Sequence, residues 1–171
     1  MLFFKIFLQE NKEALPLYKK IHRSDFLVGN YPNSYAIPYS PEKFSKWIDE
    51  NTIYSLFIHY SIKQALINNR KFMHILNLSE NLNMCLSDCQ FYNIDLDLVL
   101  EGEPLGNEVI IHSLKNKHYR LLKISFRLDN RYLISIKRNG VIEIDEQILI
   151  TNNQSIRKLI DIINLGHGVS T

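Results

Sequence analysis

The stretch YRLLKISFRLDNRYLISIKRNGVIEID, residues 119–145, decides the fold because apolar and polar side chains alternate through three consecutive segments. This alternation predicts β-strands with one buried face. A three-residue loop at residues 129–131 places every apolar residue of the first segment opposite an apolar residue of the second. The predicted pairs are Leu128 with Tyr132, Phe126 with Ile134, and Ile124 with Ile136. We therefore expect an antiparallel hairpin in this register.

The second turn of this stretch contains Asn139-Gly140, a dipeptide typical of hairpin turns. A two-residue turn would place Glu143 opposite Ile136 and so put an acid on the core face. A three-residue loop with Gly140 in a left-handed bulge keeps the core apolar instead. The resulting pairs are Ile136 with Ile142 and Ile134 with Ile144. Since a slip of one residue moves every side chain to the other face, we predict the bulged loop.

Two segments before this stretch also show strand-like patterns. Residues 94–100 alternate between apolar and mostly acidic positions, which predicts a strand with one acidic face. Its expected buried residues are Ile94, Leu96, Leu98 and Leu100. Residues 109–114 are a second candidate strand. Together with residues 119–145, they predict an antiparallel meander of about four or five strands.

Helical spacing predicts helices on both sides of the meander. Ser40, Pro41 and Glu42 form a helix start signal, and a second apolar run extends from Tyr54 to Leu66. Near the other end, apolar residues recur at i, i+3, i+4 and i+7 between a cap at Asn152 or Asn153 and a stop at Gly166. They are Ile156, Leu159, Ile160 and Ile163. The fold class predicted is α+β, with an N-terminal helical region, then the meander, then a C-terminal helix packed on it.

Composition agrees with one globular domain over residues 1–171. The chain has 46% hydrophobic and 22% charged residues, which excludes a disordered or fibrous protein. A net charge of +2 excludes a uniformly basic coat. Cys85 and Cys89 have no second pair to complete a zinc site, so we interpret them as reduced thiols.

No apolar run reaches the roughly 20 residues that a membrane-spanning helix needs. The apolar opening segment is short and Lys5 interrupts it, so it does not resemble a secretory signal. Asparagine and isoleucine are frequent and alanine is rare, which suggests AT-rich codons such as those of many bacteria. Because the sequence shows neither a membrane-spanning run nor a secretory signal, we expect a cytoplasmic protein with no membrane partner.

Charge is segregated along the chain. Residues 80–108 contain seven acids and no lysine or arginine, a net charge of −7. Residues 115–138 contain eight bases and only Asp129 as an acid, a net charge of +7. In one interpretation, neighbouring strands of opposite charge hold each other in register, with Arg127 approaching Asp145. In the other, one of the two segments presents a docking surface.

The acidic segment predicts a surface that binds a basic protein. Opposite charges steer two proteins together and raise the rate and selectivity of association. The predicted partner-binding residues are Asp95, Asp97, Glu101 and Glu103. With no catalytic motif in the chain, this favours a non-enzymatic module that occludes or recruits another protein. A bacterial immunity protein that neutralises a cognate basic toxin domain is one concrete example.

The basic segment predicts an alternative, a module that binds nucleic acid. Lys123, Arg127 and Lys137 share the polar face of the predicted sheet. Tyr119 and Tyr132 flank this segment, and aromatic rings beside basic side chains can stack on the bases of single strands. Ordinary packing in the sheet is the competing interpretation of both rings.

Enzyme signals are few. The chain has no glycine-rich phosphate loop, zinc-protease helix or nucleophile elbow, and its six histidines have no ligand or triad spacing. Asp95 and Asp97 lack a third ligand, so we predict no metal, no cofactor and no catalytic residue. His112 would serve as a base only with a suitable partner nearby. An enzyme would therefore require a pocket that joins a histidine and an acid from separate segments.

Overall fold

The protein is built around one large antiparallel sheet. The computed structural model describes residues 1–10, 26–31, 33–42, 45, 55, 58–151 and 153–165. Within these residues, eight strands belong to the sheet. They are β1 (Leu2–Gln9), β2 (Leu27–Val28), β3 (Ser34–Pro38), β4 (Ile62–Gln64), β5 (Met84–Phe91), β6 (Leu121–Leu128), β7 (Tyr132–Lys137) and β8 (Val141–Ile144).

The strands follow the order β2-β3-β1-β8-β7-β6-β5, and β4 also pairs with β1. β1 therefore joins the early strands to the meander, since its first half pairs with β8 and its second half with β4. Five helices are described: α1 (Asn69–Leu78), α2 (Leu96–Leu100), α3 (Asn107–Lys115), α4 (Glu146–Thr151) and α5 (Asn153–Leu165). A 3₁₀ turn at Glu80–Leu82 precedes β5.

The predicted order of elements is wrong at the N-terminus. The chain begins with a strand and not with a helical region, and the sheet has eight strands and not four or five. β1 alternates in burial only weakly, because its residues from Phe4 to Phe7 are all buried. A strand covered on both faces lacks the period of two that marks a half-exposed strand, so the sequence pattern misses it.

The registers of the two hairpins are confirmed. β6 and β7 pair Leu128 with Tyr132, Phe126 with Ile134 and Ile124 with Ile136. β7 and β8 pair Ile136 with Ile142 and Ile134 with Ile144. Gly140 has a φ of +77°, the left-handed conformation expected of the bulged loop. These registers put all the paired isoleucines on the core face, where each is fully buried.

The turn at Gly140 also packs tightly against the end of β4. The amide of Ile6 donates to the Gly140 carbonyl at 3.0 Å, and the amide of Ile67 donates to the Arg138 carbonyl at 2.9 Å. A Cβ atom at position 140 would collide with the backbone carbonyl of Ala65. Glycine is therefore required here by its conformation and by space.

The two strands predicted at residues 94–100 and 109–114 are wrong, because both segments are helical. In α2, Val99 is buried and Leu96 and Leu100 are half-buried, while Leu98 is exposed. This is the i, i+3, i+4 spacing of a helix. In α3 the buried residues are Ile110, Ser113 and Leu114, with the same spacing. The leucines of α2 fit the two-residue period of a strand and also the 3.6-residue period of a helix. Packing against the core selects the helix.

The C-terminal helix is confirmed as α5. Its four predicted core residues are fully buried: Ile156, Leu159, Ile160 and Ile163. They belong to one buried cluster with the apolar face of β6, β7 and β8 and with residues of α1 and α3. α4, which directly precedes α5, is not anticipated by the sequence pattern.

The remaining predictions concern the middle of the chain. The helix expected from Ser40 lies largely outside the described residues. The run from Tyr54 to Leu66 is not helical at its end, since Ile62–Gln64 form β4.

Cys85 and Cys89 are both free thiols, as interpreted, but they lie on β5 and only Cys89 is buried. Burial and the nearby Asp88 raise the pKa of the Cys89 thiol to about 12.

Candidate functional site

The four predicted partner-binding residues lie together around α2, and we call them the acidic surface: Asp95, Asp97, Glu101 and Glu103. Asp95 is extended (φ −71°, ψ 143°) and precedes the helix, and Asp97 occupies its first turn. Glu101 ends the helix in a left-handed conformation with a φ of 51°. All four side chains are exposed. The predicted strand is wrong, yet the exposure expected of these acids is found.

The carboxylates of the acidic surface are unpaired as far as the described residues are concerned. None of them forms an ion pair or a side-chain hydrogen bond with another residue of the described ranges. Asp97 lies in the first turn of α2, where the helix dipole favours a negative charge. These four acids lie at or after a helix and not on a strand, so the interpretation that they hold neighbouring strands in register is wrong for them. Their charge is directed to solvent.

A large apolar side chain is exposed in the middle of this surface. Leu98 is 67% exposed and lies between Asp97 and Glu101 in the chain. An exposed leucine is unremarkable alone. An apolar centre with a charged rim, however, is the usual arrangement of a protein–protein interface.

A cleft of about 780 Å³ adjoins the acidic surface. One wall comes from the end of α2 and the residues after it, and the other from α3. The charged and aromatic side chains that line it are Glu101, Glu103, Glu108, His112, Lys115 and Tyr119. Three carboxylates therefore face one ammonium group and one imidazole, an excess of negative charge that favours a cationic group.

The cleft partly meets the condition set for an enzyme, because it brings His112 and several acids to one place. The nearest candidate nucleophile is Ser113, but its hydroxyl donates to the carbonyl of Val109 at 3.0 Å and its side chain is buried. His112 forms no hydrogen bond or ion pair with the described residues. In the described ranges, no three His, Cys, Asp or Glu side chains are placed to hold a metal ion.

The basic residues Lys123, Arg127 and Lys137 lie on the sheet face opposite the core, as predicted. Lys123 and Lys137 are directly opposite each other on β6 and β7, and both are half-buried. Lys137 forms an ion pair with Glu143, and its Nζ lies 5.8 Å from the centre of the Phe3 ring. Arg127 is exposed and lies four residues further along β6.

The two tyrosines predicted to flank these bases lie elsewhere. Tyr132 is on the core face opposite Leu128 and is only 8% exposed. Tyr119 packs its ring edge-on against Phe91 at 6.1 Å between centroids and lines the acidic cleft. Neither ring therefore stands beside Lys123 as a stacking platform. Ordinary packing, the competing interpretation, accounts for the position of both rings.

The sequence interpretation missed Glu108, His112 and Tyr119 as parts of the cleft. Glu108 and His112 are four residues apart, so in a helix they are neighbours on one face, whereas in a strand they would be about 13 Å apart. The interpretation of residues 109–114 as a strand hid this signal. The acids at Glu101 and Glu103 were found because charge alone predicts their exposure.

The site thus belongs to an α+β protein with an eight-stranded antiparallel sheet and a charged cleft between two peripheral helices. Comparisons with family models, with curated protein sequences and with solved structures give no match to this chain. Among the described helices, none is both long enough and apolar enough to cross a bilayer.

Proposed function

We propose that this protein is a binding module that docks a basic partner protein on the acidic surface and in the adjoining cleft. The carrying observation is that Asp95, Asp97, Glu101 and Glu103 lie exposed around one short helix and have no ion-pair partner among the described residues. Exposed charges with no internal partner contribute little to folding, and they remain available to a second molecule.

Charge and shape both support this role. Carboxylates close to one another produce a negative potential that accelerates encounter with a basic surface. Leu98 supplies an apolar contact at the centre of that potential. The cleft beside it has room for a lysine or arginine side chain of the partner, which Glu101 and Glu103 would neutralise.

Such a module acts by covering or recruiting its partner. An immunity protein that neutralises a basic toxin domain is a concrete example, because blocking a basic active surface requires an acidic one. The probe for a test is a purified basic toxin domain. Its association and dissociation rates with this protein would be measured by surface plasmon resonance at low and at high salt.

The informative variant is the double substitution Asp97→Asn/Glu101→Gln, which removes two charges from the acidic surface. We expect an association rate about tenfold lower at low salt, and a smaller loss at high salt. The matched control is Glu80→Gln/Glu146→Gln, which removes two exposed charges elsewhere. Equal rates for the two variants, or binding that ignores salt, would contradict the proposal.

Nucleic-acid binding at Lys123, Arg127 and Lys137 stays a prediction with less support. The bases share one sheet face, but Tyr132 is buried and Tyr119 belongs to the acidic cleft. Single-strand binding without stacking rings would depend on the phosphate backbone alone.

A further inference from the structure

A second charged site lies away from the acidic surface, where β6 begins and β7 ends. It is a notch of about 270 Å³, and we call it the basic notch. Its lining residues are Gln90, Leu122, Lys123, Lys137, Arg138 and Asn139. Three of these side chains are cationic and none is a carboxylate.

The lysines of the notch are held close together by the sheet register. Lys123 lies directly opposite Lys137, and like charges in this position repel each other. Lys137 has Glu143 as a partner, whereas Lys123 has no ion pair with any described residue. The notch therefore keeps an excess of positive charge that an incoming anion would neutralise.

The third cation is fixed in place by hydrogen bonds. The guanidinium of Arg138 donates to Asn69 Oδ1 at 3.1 Å and to the Leu121 carbonyl at 2.9 Å. Burial and the charge of Arg120 both lower the pKa of Arg138. An anion entering here meets a positive site that is already ordered.

Neutral donors complete the lining. Asn139 Oδ1 accepts the amide of Val141 at 3.2 Å, which leaves the Asn139 side-chain NH₂ group to donate elsewhere. Gln90 is exposed and lies opposite Lys123 on the neighbouring strand. Ammonium groups together with amide donors are the groups that bind phosphate oxygens.

We propose that the basic notch binds one phosphate group of a small phosphorylated molecule, with Lys123 and Lys137 contacting its oxygens. This proposal is independent of the protein-binding function, because the notch contains no residue of the acidic surface or the cleft.

The next row of the sheet disfavours a nucleic-acid strand as the ligand. In that row, Ser125 lies between Asp88 and Ser135, and Ser135 lies opposite Glu143. A backbone running along β6 from the notch to Arg127 would pass between the carboxylates of Asp88 and Glu143. A single phosphate group needs only the row that contains the lysines.

The test is a titration of the full chain with inorganic phosphate, with potassium chloride at matched ionic strength as the reference. Binding would be followed by NMR through the backbone amides of residues 137–141. We expect saturable shifts with phosphate and none with chloride. Lys123→Gln should weaken phosphate binding about tenfold, since it removes one charge-assisted contact. Arg127→Gln, on the same strand and face but outside the notch, should leave binding unchanged.

A second arm uses a short single-stranded oligonucleotide without terminal phosphates. The proposal is supported if the oligonucleotide binds more weakly than phosphate and if Arg127→Gln does not change the binding of the oligonucleotide. Tighter binding that Arg127→Gln reduces would replace it with the nucleic-acid function. The proposal is also overturned by absent or non-saturable phosphate shifts, or by a Lys123→Gln variant that binds normally. Lys123→Arg, which restores the charge, should recover binding and shows that the glutamine variant did not simply lose its fold.

Discussion

The acid-rich segment (residues 80–108) and the base-rich segment (residues 115–138) carry opposite net charges of equal size but place them differently. All seven acids are exposed, and none forms an ion pair with a described residue. Several bases are instead integrated into the sheet: Lys137 pairs with Glu143, Arg138 bonds to Asn69, and the Arg131 guanidinium lies 5.0 Å from the centre of the Tyr132 ring.

Two segments with charge runs of similar size therefore have different structural roles. A charge on a strand is close to the residues of two neighbouring strands and readily finds a partner. A charge on a short peripheral helix or loop has fewer neighbours and remains solvated. Substitutions of the integrated bases and of the adjoining turns should therefore change stability, whereas substitutions of the acids should change binding.

The largest difference in stability between the two segments is expected when a glycine in or near each of them is replaced by alanine. Gly140 lies two residues after the base-rich segment and Gly102 lies in the acid-rich one, and both have a positive φ. Gly140→Ala should cost about 4 kcal/mol, because it adds backbone strain and a collision with Ala65. Gly102→Ala should cost only about 1 kcal/mol, since nothing lies within 4 Å of the added Cβ.

Denaturant unfolding measured by circular dichroism gives both free energies of unfolding. Comparable losses for the two glycine variants would contradict the tight packing of the β7–β8 turn against β4.

The meander could be predicted from the sequence because only one of its faces is packed into the core. Placing Ile134 and Ile136 on that face leaves a single acceptable register for both hairpins. β1 could not be predicted in this way, because Lys5 and Phe7 are buried as fully as the core residue Phe4. Its alternation in polarity is lost where both faces are covered.

The helices α2 and α3 could not be predicted because their short apolar patterns fit two periods. Leu96 and Leu100 are consistent with a strand and with a helix, and only the burial of Val99 distinguishes them. The acidic surface was still found, because an unpaired carboxylate is exposed in either structure. The cleft was not, since it depends on how α2 and α3 pack against each other.

Lys71 in α1 is a buried lysine, and its burial should make the stability of the protein depend on pH. It is 6% exposed, and burial lowers its pKa from 10.5 to about 8. Between these two pH values the unfolded chain holds a proton that the folded protein has released. Stability should therefore rise with pH through this window, by up to about 3 kcal/mol.

Lys71→Met removes this pH dependence, and Lys115→Met, at an exposed lysine of α3, is its control. Urea unfolding at several pH values between 8 and 10 would measure the slopes. The same slope in the wild type and in Lys71→Met would show that Lys71 keeps an ordinary pKa.

A smaller effect is expected where an arginine of the base-rich segment is tied to the backbone. Arg138→Met should cost about 2 kcal/mol, because the Leu121 carbonyl and Asn69 Oδ1 lose a charged donor. Arg127→Met should stay within about 0.5 kcal/mol, since this side chain is exposed. Thermal unfolding of both variants at one pH measures the difference. Equal melting temperatures would remove the distinction between integrated and solvated bases.

The smallest change in stability is expected for the acids themselves. Asp97→Asn loses a favourable interaction with the dipole of α2, while it also relieves repulsion from Asp95 and Glu101. These terms offset, so Asp97→Asn/Glu101→Gln should alter the free energy of unfolding by no more than about 0.5 kcal/mol. Denaturant unfolding of this variant would check the value. A loss above 1 kcal/mol would mean that the acids stabilise the fold, and the contrast with the base-rich segment would then disappear.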